Sequence, residues 1–350
     1  MRDRSGVTIS EVAEAAGVSR QTVSNVLNAP DRVAPATADR VRRAIEELGY
    51  RPNRAARNLR ERSSRCIGFK IAPPTGLNTL LDRFLHALAD NAESAGHHLL
   101  LFSAATVEEE LAAYEELIVT GTVDGFVHAD VETIDERLEW CDRNGIPCVS
   151  FGRPKSPAAC SWVDVDGAAG LAQSVDYLVA RGHRRIAYLG WPEGQRVGDQ
   201  RLAGWRSAMR RHRLDTGGLA GACSEDVAEV AAVARRLRAL PDPPTAFACG
   251  SDTFAIVARQ ATGTGADGHP AIEVVGYDDS PVAALMTPPL SSVRQPIDEV
   301  ARHVVRLLLR QFGAPGHAPE GVMLRPELVG RDQAGRAHGT PGKTEPAAEQ

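Results

Sequence analysis

Four polar side chains, Arg20, Gln21, Ser24 and Asn25, fall in pairs four residues apart within GVSRQTVSNVLN. On a helix this spacing gathers them on one face. Their types suit the reading of base edges: Arg takes guanine O6 and N7 with two hydrogen bonds, and Gln or Asn does the same to adenine. Ser19, Thr22 and Asn28 flank them with hydroxyl, amide and helix N-terminal N–H groups suited to phosphate. Tyr50 offers a phenolic hydroxyl to the phosphate backbone. Just beyond it, RPNRAARNLR sets Arg54, Arg57 and Arg60 among Ala55, Ala56 and Leu59. Small residues permit close approach to a minor groove, and an apolar Leu can wedge between base steps.

The elements that must hold these groups are legible. Thr8 and Glu11 form a capping box, and Ile9, Val12, Ala13 and Ala16 make the apolar stripe of a first helix ended by Gly17. Ser19 is the expected N-cap of a second helix that buries Val23, Val26 and Leu27. Pro35 fits the first position of a third helix, with Val41, Ala44, Ile45 and Leu48 as its stripe and Gly49 as its stop. A helix from Pro52 to Leu59 is too short to stand alone in water. The first 65 residues hold 13 Arg, no Lys and 8 Asp+Glu in a chain of formal net charge −5. A head of +5 therefore sits on a body of −10, as suits a head that meets phosphates.

The body has the material for a large core, with 350 residues in the whole chain and 43% of them hydrophobic. Its six Cys show no CxxC pair, which indicates neither a zinc site nor a disulfide framework, and reduced thiols are expected. The N-terminus lacks the apolar core of a signal peptide, and no apolar run approaches the roughly 18 residues of a membrane span. A cytoplasmic protein without membrane contact is expected. From Cys66 the pattern alternates strands with helices. Cys66–Ile71, Leu99–Phe102, Gly125–His128 and Cys148–Phe151 read as strands, and Leu80–Ala95, Val107–Val119 and Ile134–Asn144 as helices between them. A second set follows near Val163, with strands at Ile186–Leu189, Ala246–Cys249 and Ile272–Tyr277. Its helices are Ala168–Arg181, Arg201–Arg211, Val227–Leu240 and Thr253–Thr262. Such alternation predicts two parallel sheets covered by helices, with a cleft between them beyond the strand C-termini. His97-His98 and His183-Arg184-Arg185 read as surface or strand-edge residues, and the Gly-rich run at 263–268 as a plain loop. Residues 331–350 have the composition of a disordered tail.

Residues 7–62 resemble the LacI/GalR family of bacterial transcription regulators, through VTISEVAEAAGVSRQTVSNVLN, the RV-containing loop and GYRPNRAARNLR. The body resembles it through GHRRIAYLG, RLAGW, Ser251-Asp252, VVGYDDSP and LSSVRQP. The resemblance implies a helix-turn-helix head at 1–51, a hinge helix and linker at 52–65, and a ligand-binding and dimerisation domain at 66–330. That domain would have the type I periplasmic-binding-protein fold, with the chain crossing three times between two subdomains. Ile297–Phe312 would return to the first and Val322–Leu328 would add to the second. Arg20, Gln21 and Asn25 would then read bases, Tyr50 and Asn53 contact phosphate, and Leu59 act as the minor-groove lever.

In the cleft, matching motifs mark Arg153, Arg201, Asp252, Asp278 and Gln295, with Ser251 beside Asp252 and Asp82 after the first strand. Carboxylates with Arg and a ring such as Trp162 suit a sugar. Four positions depart from the family pattern. Asn25 replaces a common Arg, which shifts preference from guanine toward adenine, and Ala34 replaces a capping Ser at a cost of about 1 kcal/mol. Gly152 stands for a frequent Asp, and Ser251 for a frequent Asn. The implied function is repression by a homodimer on pseudo-palindromic double-stranded DNA, controlled by a small-molecule effector of the sugar class, with no cofactor and no metal. Other readings are control by a protein corepressor, a sugar-processing enzyme and a solute-binding protein. No Ser-His-Asp set or phosphate loop favours the enzyme, and the head with its missing signal peptide opposes the solute-binding protein.

Overall fold

A computed structural model describes residues 7–50, 63–71, 80–132, 134–154, 160–263, 272–313 and 318–331. The chain forms two compact units, Met1–Ser64 and Arg65–Gln350. In the first, α1 (Ile9–Ala16), α2 (Arg20–Asn28) and α3 (Pro35–Leu48) pack around Val12, Ala16, Val23, Val26, Val41 and Ala44. The Thr8–Glu11 capping box is formed, with the Thr8 N–H donating to Glu11 Oε2 at 2.7 Å. Gly17 takes φ 61°, which lets the chain turn sharply into α2. Leu48, expected in the buried stripe of α3, is 38% exposed, and Ala38 one turn from the N-terminus is buried in its stead.

The second unit contains two six-stranded sheets. The first runs β11-β5-β4-β3-β1-β2 and is parallel throughout. Its strands are β1 (Cys66–Lys70), β2 (His98–Phe102), β3 (Gly125–His128), β4 (Cys148–Phe151), β5 (Ser161–Val165) and β11 (Gly321–Leu324). Successive side chains point to opposite faces. Ile67, Phe69, Val127, Val149 and Val163 therefore meet α4 (Leu80–Ser94) and α12 (Ile297–Gly313). On the other face Phe126 and Cys148 meet α5 (Val107–Val119) and α6 (Glu136–Asn144). The second sheet runs β12-β10-β9-β8-β6-β7. It comprises β6 (Ile186–Gly190), β7 (Ala220–Ala222), β8 (Ala246–Cys249), β9 (Glu273–Tyr277), β10 (Ser291–Arg294) and β12 (Glu327–Val329), the last antiparallel to β10. Around it lie α7 (Gly167–Ala180), α8 (Arg196–Arg211), α9 (Val227–Arg238), α10 (Asp252–Thr262) and the short α11 (Pro281–Leu285).

The chain passes between the sheets after β5, after β10 and between β11 and β12. The first and third of these links adjoin: Asp166 N donates to Leu324 O at 2.9 Å, and Gln173 Nε2, from α7, donates to Pro326 O at 3.0 Å. The single strand expected at Val322–Leu328 is two. Gly321–Leu324 joins the first sheet beside β5, and only Glu327–Val329 joins the second. Pro326 separates them, since it has no N–H for a ladder. Helix α8 begins five residues before the expected Arg201, and Arg331, assigned to the tail, is held by the second unit. Its N–H donates to Ser291 Oγ at 2.9 Å and its guanidinium pairs with Asp279 at 2.7 Å. Residues 332–350 lie outside the described residues.

Candidate nucleic-acid interface and ligand cleft

In α2 the buried Val23 and Val26 turn Arg20, Gln21, Ser24, Asn25 and Asn28 to the other side, where each is exposed or half-buried. Ser19 caps the helix, its Oγ accepting from Thr22 N at 3.1 Å and lying 2.9 Å from Thr22 Oγ1. Gln21 Nε2 donates to Asn25 Oδ1 at 2.9 Å, which sets the two amides expected to read bases side by side. Asn28 Nδ2 donates to Ser24 O at 2.7 Å and turns its amide back along the helix. Tyr50 half-buries its ring against the head core. Ala34 precedes α3 with extended backbone (φ −57°, ψ 137°) and no capping side chain. Asn53, Ala56 and Leu59 lie outside the described residues.

In the second unit, the loops after β6, β7, β8 and β9 converge on Arg201. Its guanidinium lies 5.4 Å from the Trp191 ring centroid and 3.8 Å from that of Tyr277. It donates to Gly250 O, and Nη2 stands 3.7 Å from Asp278 Oδ1, while Nε is buried with no partner among the described residues. Asp278 has φ 100° and accepts from Gln295 Nε2 at 2.7 Å, so these two motif residues and Arg201 meet. Burial raises the Asp278 pKa against the pull of Arg201. Asp252, the first residue of α10, accepts from Ser280 N and Ser292 Oγ, each at 2.6 Å. Burial, aided by the charge of Asp278, pushes its carboxyl up to about 6. Ser251 caps α10 through Phe254 N at 3.3 Å and gives its hydroxyl proton to Glu225. Glu225 is raised too, chiefly by burial.

The remaining motif residues are more peripheral. Arg153 is exposed, its backbone N–H donating to Asp164 Oδ2 at 3.1 Å and its guanidinium 5.7 Å from the Trp162 ring. Trp162 packs over Gly321, where an added Cβ would come within 2.3 Å of the indole. Asp82 is exposed in the first turn of α4. Its neighbour Arg83 reaches the cleft, donating to Asp278 O at 3.3 Å.

Sequence reasoning missed Arg83, Asp164, Trp191, Arg196 and Glu225. Arg196 opens α8 yet bonds to the first sheet: to Asp164 Oδ2 of β5 at 2.9 Å and to Val131 O, in the loop after β3, at 3.2 Å. It also accounts for Gly152, whose φ is 122° and whose Cβ, if present, would lie 2.5 Å from Arg196 Nη2. Arg83 and Arg196 thus span the cleft from opposite layers. The available signal was position: Trp191 directly follows β6, and Glu225 lies just past β7. Together these residues accept protons through Glu225, Asp252 and Asp278, donate through Arg201, and present the Trp191 ring. Such a set matches hydroxyl groups, each of which both donates and accepts.

A capped three-helix head joined to two helix-covered sheets with a polar cleft defines a ligand-binding DNA-recognition protein. The chain belongs to the LacI family of bacterial regulatory proteins. Residues 8–53 match the model described as "Bacterial regulatory proteins, lacI family", and residues 175–332 that of the periplasmic binding protein-like domain. It is 32% identical over 343 residues to the HTH-type transcriptional regulator CelR of Thermobifida fusca, spanning 95% of this chain and 99% of the relative. Among solved structures it resembles the lac repressor dimer bound to operator and the anti-inducer ONPF. That match has a TM-score of 0.76 and 26% identity over 93% of this chain and 98% of the other. The CelR–cellobiose complex matches with TM-score 0.68 and 28% identity over 92% and 98%. Among the described residues no helix is long and apolar enough to cross a membrane.

Proposed function

We propose that this protein is a cytoplasmic homodimeric repressor whose grip on a pseudo-palindromic operator is set by a neutral, polyhydroxylated effector of the sugar class. The observation that carries the ligand half is Arg201, a buried guanidinium held between Trp191 and Tyr277 with its Nε left for an incoming acceptor. The carboxyls around it suit hydroxyl donors, and a similar regulator has been solved with cellobiose. On the DNA side, the paired Gln21 and Asn25 favour adenine contacts. The dimer would form through the edge strand β2, whose HLLLF run has one side unpaired among the described residues and lines a groove of about 350 Å3 with Leu85 and Ala89. Loss of the hinge segment 52–65 would uncouple the two functions.

Mobility-shift assays on the DNA upstream of the protein's own gene, with a panel of mono- and disaccharides, test this reading. One sugar should change the affinity and quench the Trp191 fluorescence. Arg201→Ala should weaken that sugar by about 10- to 100-fold, the worth of a charge-assisted hydrogen bond, while DNA binding persists. An unaltered sugar affinity would remove Arg201 from the site.

A further inference from the structure

The cysteines that show no spacing pattern in the sequence come together in the fold. His128 at the end of β3, Cys141 on α6 and Cys148 at the start of β4 are all buried, and their ligand atoms lie within 4.8 Å of one another. Cys160, just before β5, adds a buried thiol 3.2 Å from Cys148 Sγ. Around a tetrahedral ion with metal–sulfur distances of about 2.3 Å, neighbouring donor atoms stand about 3.5–3.8 Å apart. His128, Cys141 and Cys148 therefore need only small shifts to close on one, and Cys160 completes the set by turning its thiol from beside Cys148 toward the other two.

A second observation concerns how His128 is held. Tyr114 gives its hydroxyl proton to Glu110, which is itself paired with Lys70 at 2.7 Å and Arg137 at 3.5 Å. The Tyr114 oxygen, 3.2 Å from His128 Nδ1, is left to accept the ring N–H. The imidazole is thereby fixed with its Nε2 lone pair toward Cys141 Sγ, 3.7 Å away. Metal-bound histidines are oriented in this way, the other ring N–H donating to an outer partner that fixes the tautomer.

We propose that His128, Cys141, Cys148 and Cys160 form a buried site for a thiophilic d10 cation, Zn2+ or Cu+. Soft thiolates with imidazole select these ions over hard cations. Binding exchanges each ligating thiol proton for a metal–sulfur bond and releases it to solvent. The ion ties β3, α6, β4 and β5 together. The same β4 and β5 continue to Gly152, Arg153 and Asp164 at the cleft, so occupancy is linked to the stability of that wall.

The test uses the full chain, reduced with a phosphine and stripped with chelator. Zn2+ is titrated against a chromogenic chelator, and Cu+ against a Cu+-selective one. The expected result is one tightly held equivalent of one ion, proton release on binding, and, with Co2+ as probe, sulfur-to-metal charge-transfer absorption. Cys148→Ser should abolish it, Tyr114→Phe should weaken it by about 10- to 100-fold, and the surface variant His97→Ala should leave it intact. On the unaltered protein, the bound ion should slow alkylation of Cys141, Cys148 and Cys160 in moderate urea relative to Cys223 and Cys249. That readout does not depend on any variant folding. Weak binding with no charge-transfer band, or equal alkylation with and without the ion, would overturn the proposal and leave the cluster as packed thiols.

Discussion

Replacing Asp252 by Asn tests the electrostatics of the cleft floor. Burial lifts this carboxyl from 3.8 to about 6, the like charge of Asp278 adding to it and the hydrogen bonds from Ser292 and Ser280 opposing it. The folded value lies above the unfolded one, so the folded chain holds this proton more tightly. Its contribution is greatest where the group is protonated in both states, and it is lost as pH rises from 3.8 through about 6. At about 1.4 kcal/mol per unit, the ionised carboxylate costs the fold under about 1 kcal/mol at pH 4 and about 3 kcal/mol above pH 7. Asn resembles the protonated acid: its Oδ1 accepts from Ser280 N, and its amide donates to the Ser292 hydroxyl, which turns to accept. Asp252→Asn should therefore nearly match the parent at pH 4 and exceed it by about 3 kcal/mol at pH 7.5. Urea unfolding followed by tryptophan fluorescence measures this. Trp140, Trp162, Trp191 and Trp205 all lie in the second unit, so the head is silent. A difference that does not grow with pH, or an Asn variant less stable at pH 7.5, would show that the carboxylate is ionised and stabilised by its donors.

Two further outcomes concern the head. Ala34→Ser places a hydroxyl at the start of α3, which has no side-chain cap and where the backbone is already extended, and should stabilise the head by about 1 kcal/mol in thermal melts; no gain would mean that the bond Thr37 N already gives to Ala34 O, at 2.9 Å, leaves a capping hydroxyl nothing to add. Gln21→Ala removes one amide and frees its partner Asn25, and should cost about 1–3 kcal/mol at a single base position in a binding-site selection. A uniform loss across all sequences would instead mark Gln21 as a phosphate contact.

The pattern of apolar residues carried much of this architecture because buried parallel strands such as Gly125–His128 and Ala246–Cys249 are continuous runs with no competing period. Short elements were harder. Ala220–Ala222 is three small residues, Ser291–Arg294 is mostly polar, and both are strands only because a neighbour supplies their ladder. In the cleft, Arg201, Asp278 and Gln295 were legible from motifs and do meet. Arg196 and Glu225 were not, because their roles depend on which distant loop they face. The thiol cluster was hidden for the same reason: Cys141 and Cys148 are on different elements, and only the alternation of β4 aims Cys148 at α6.

The threefold passage of the chain between its two sheets has a consequence for synthesis. The face of the first sheet carrying Val149, Val163 and Val165 is covered by α12, and the edge of β5 by β11. Both come from the far end of the chain, beyond the whole second sheet up to β10. A ribosome adding roughly 5–20 residues per second needs on the order of 10 s to travel from Val165 to Ile297. The head can fold and emerge during that time, while an apolar face behind it waits uncovered. The growing chain thus owns a DNA-recognition surface before it owns the means to regulate it.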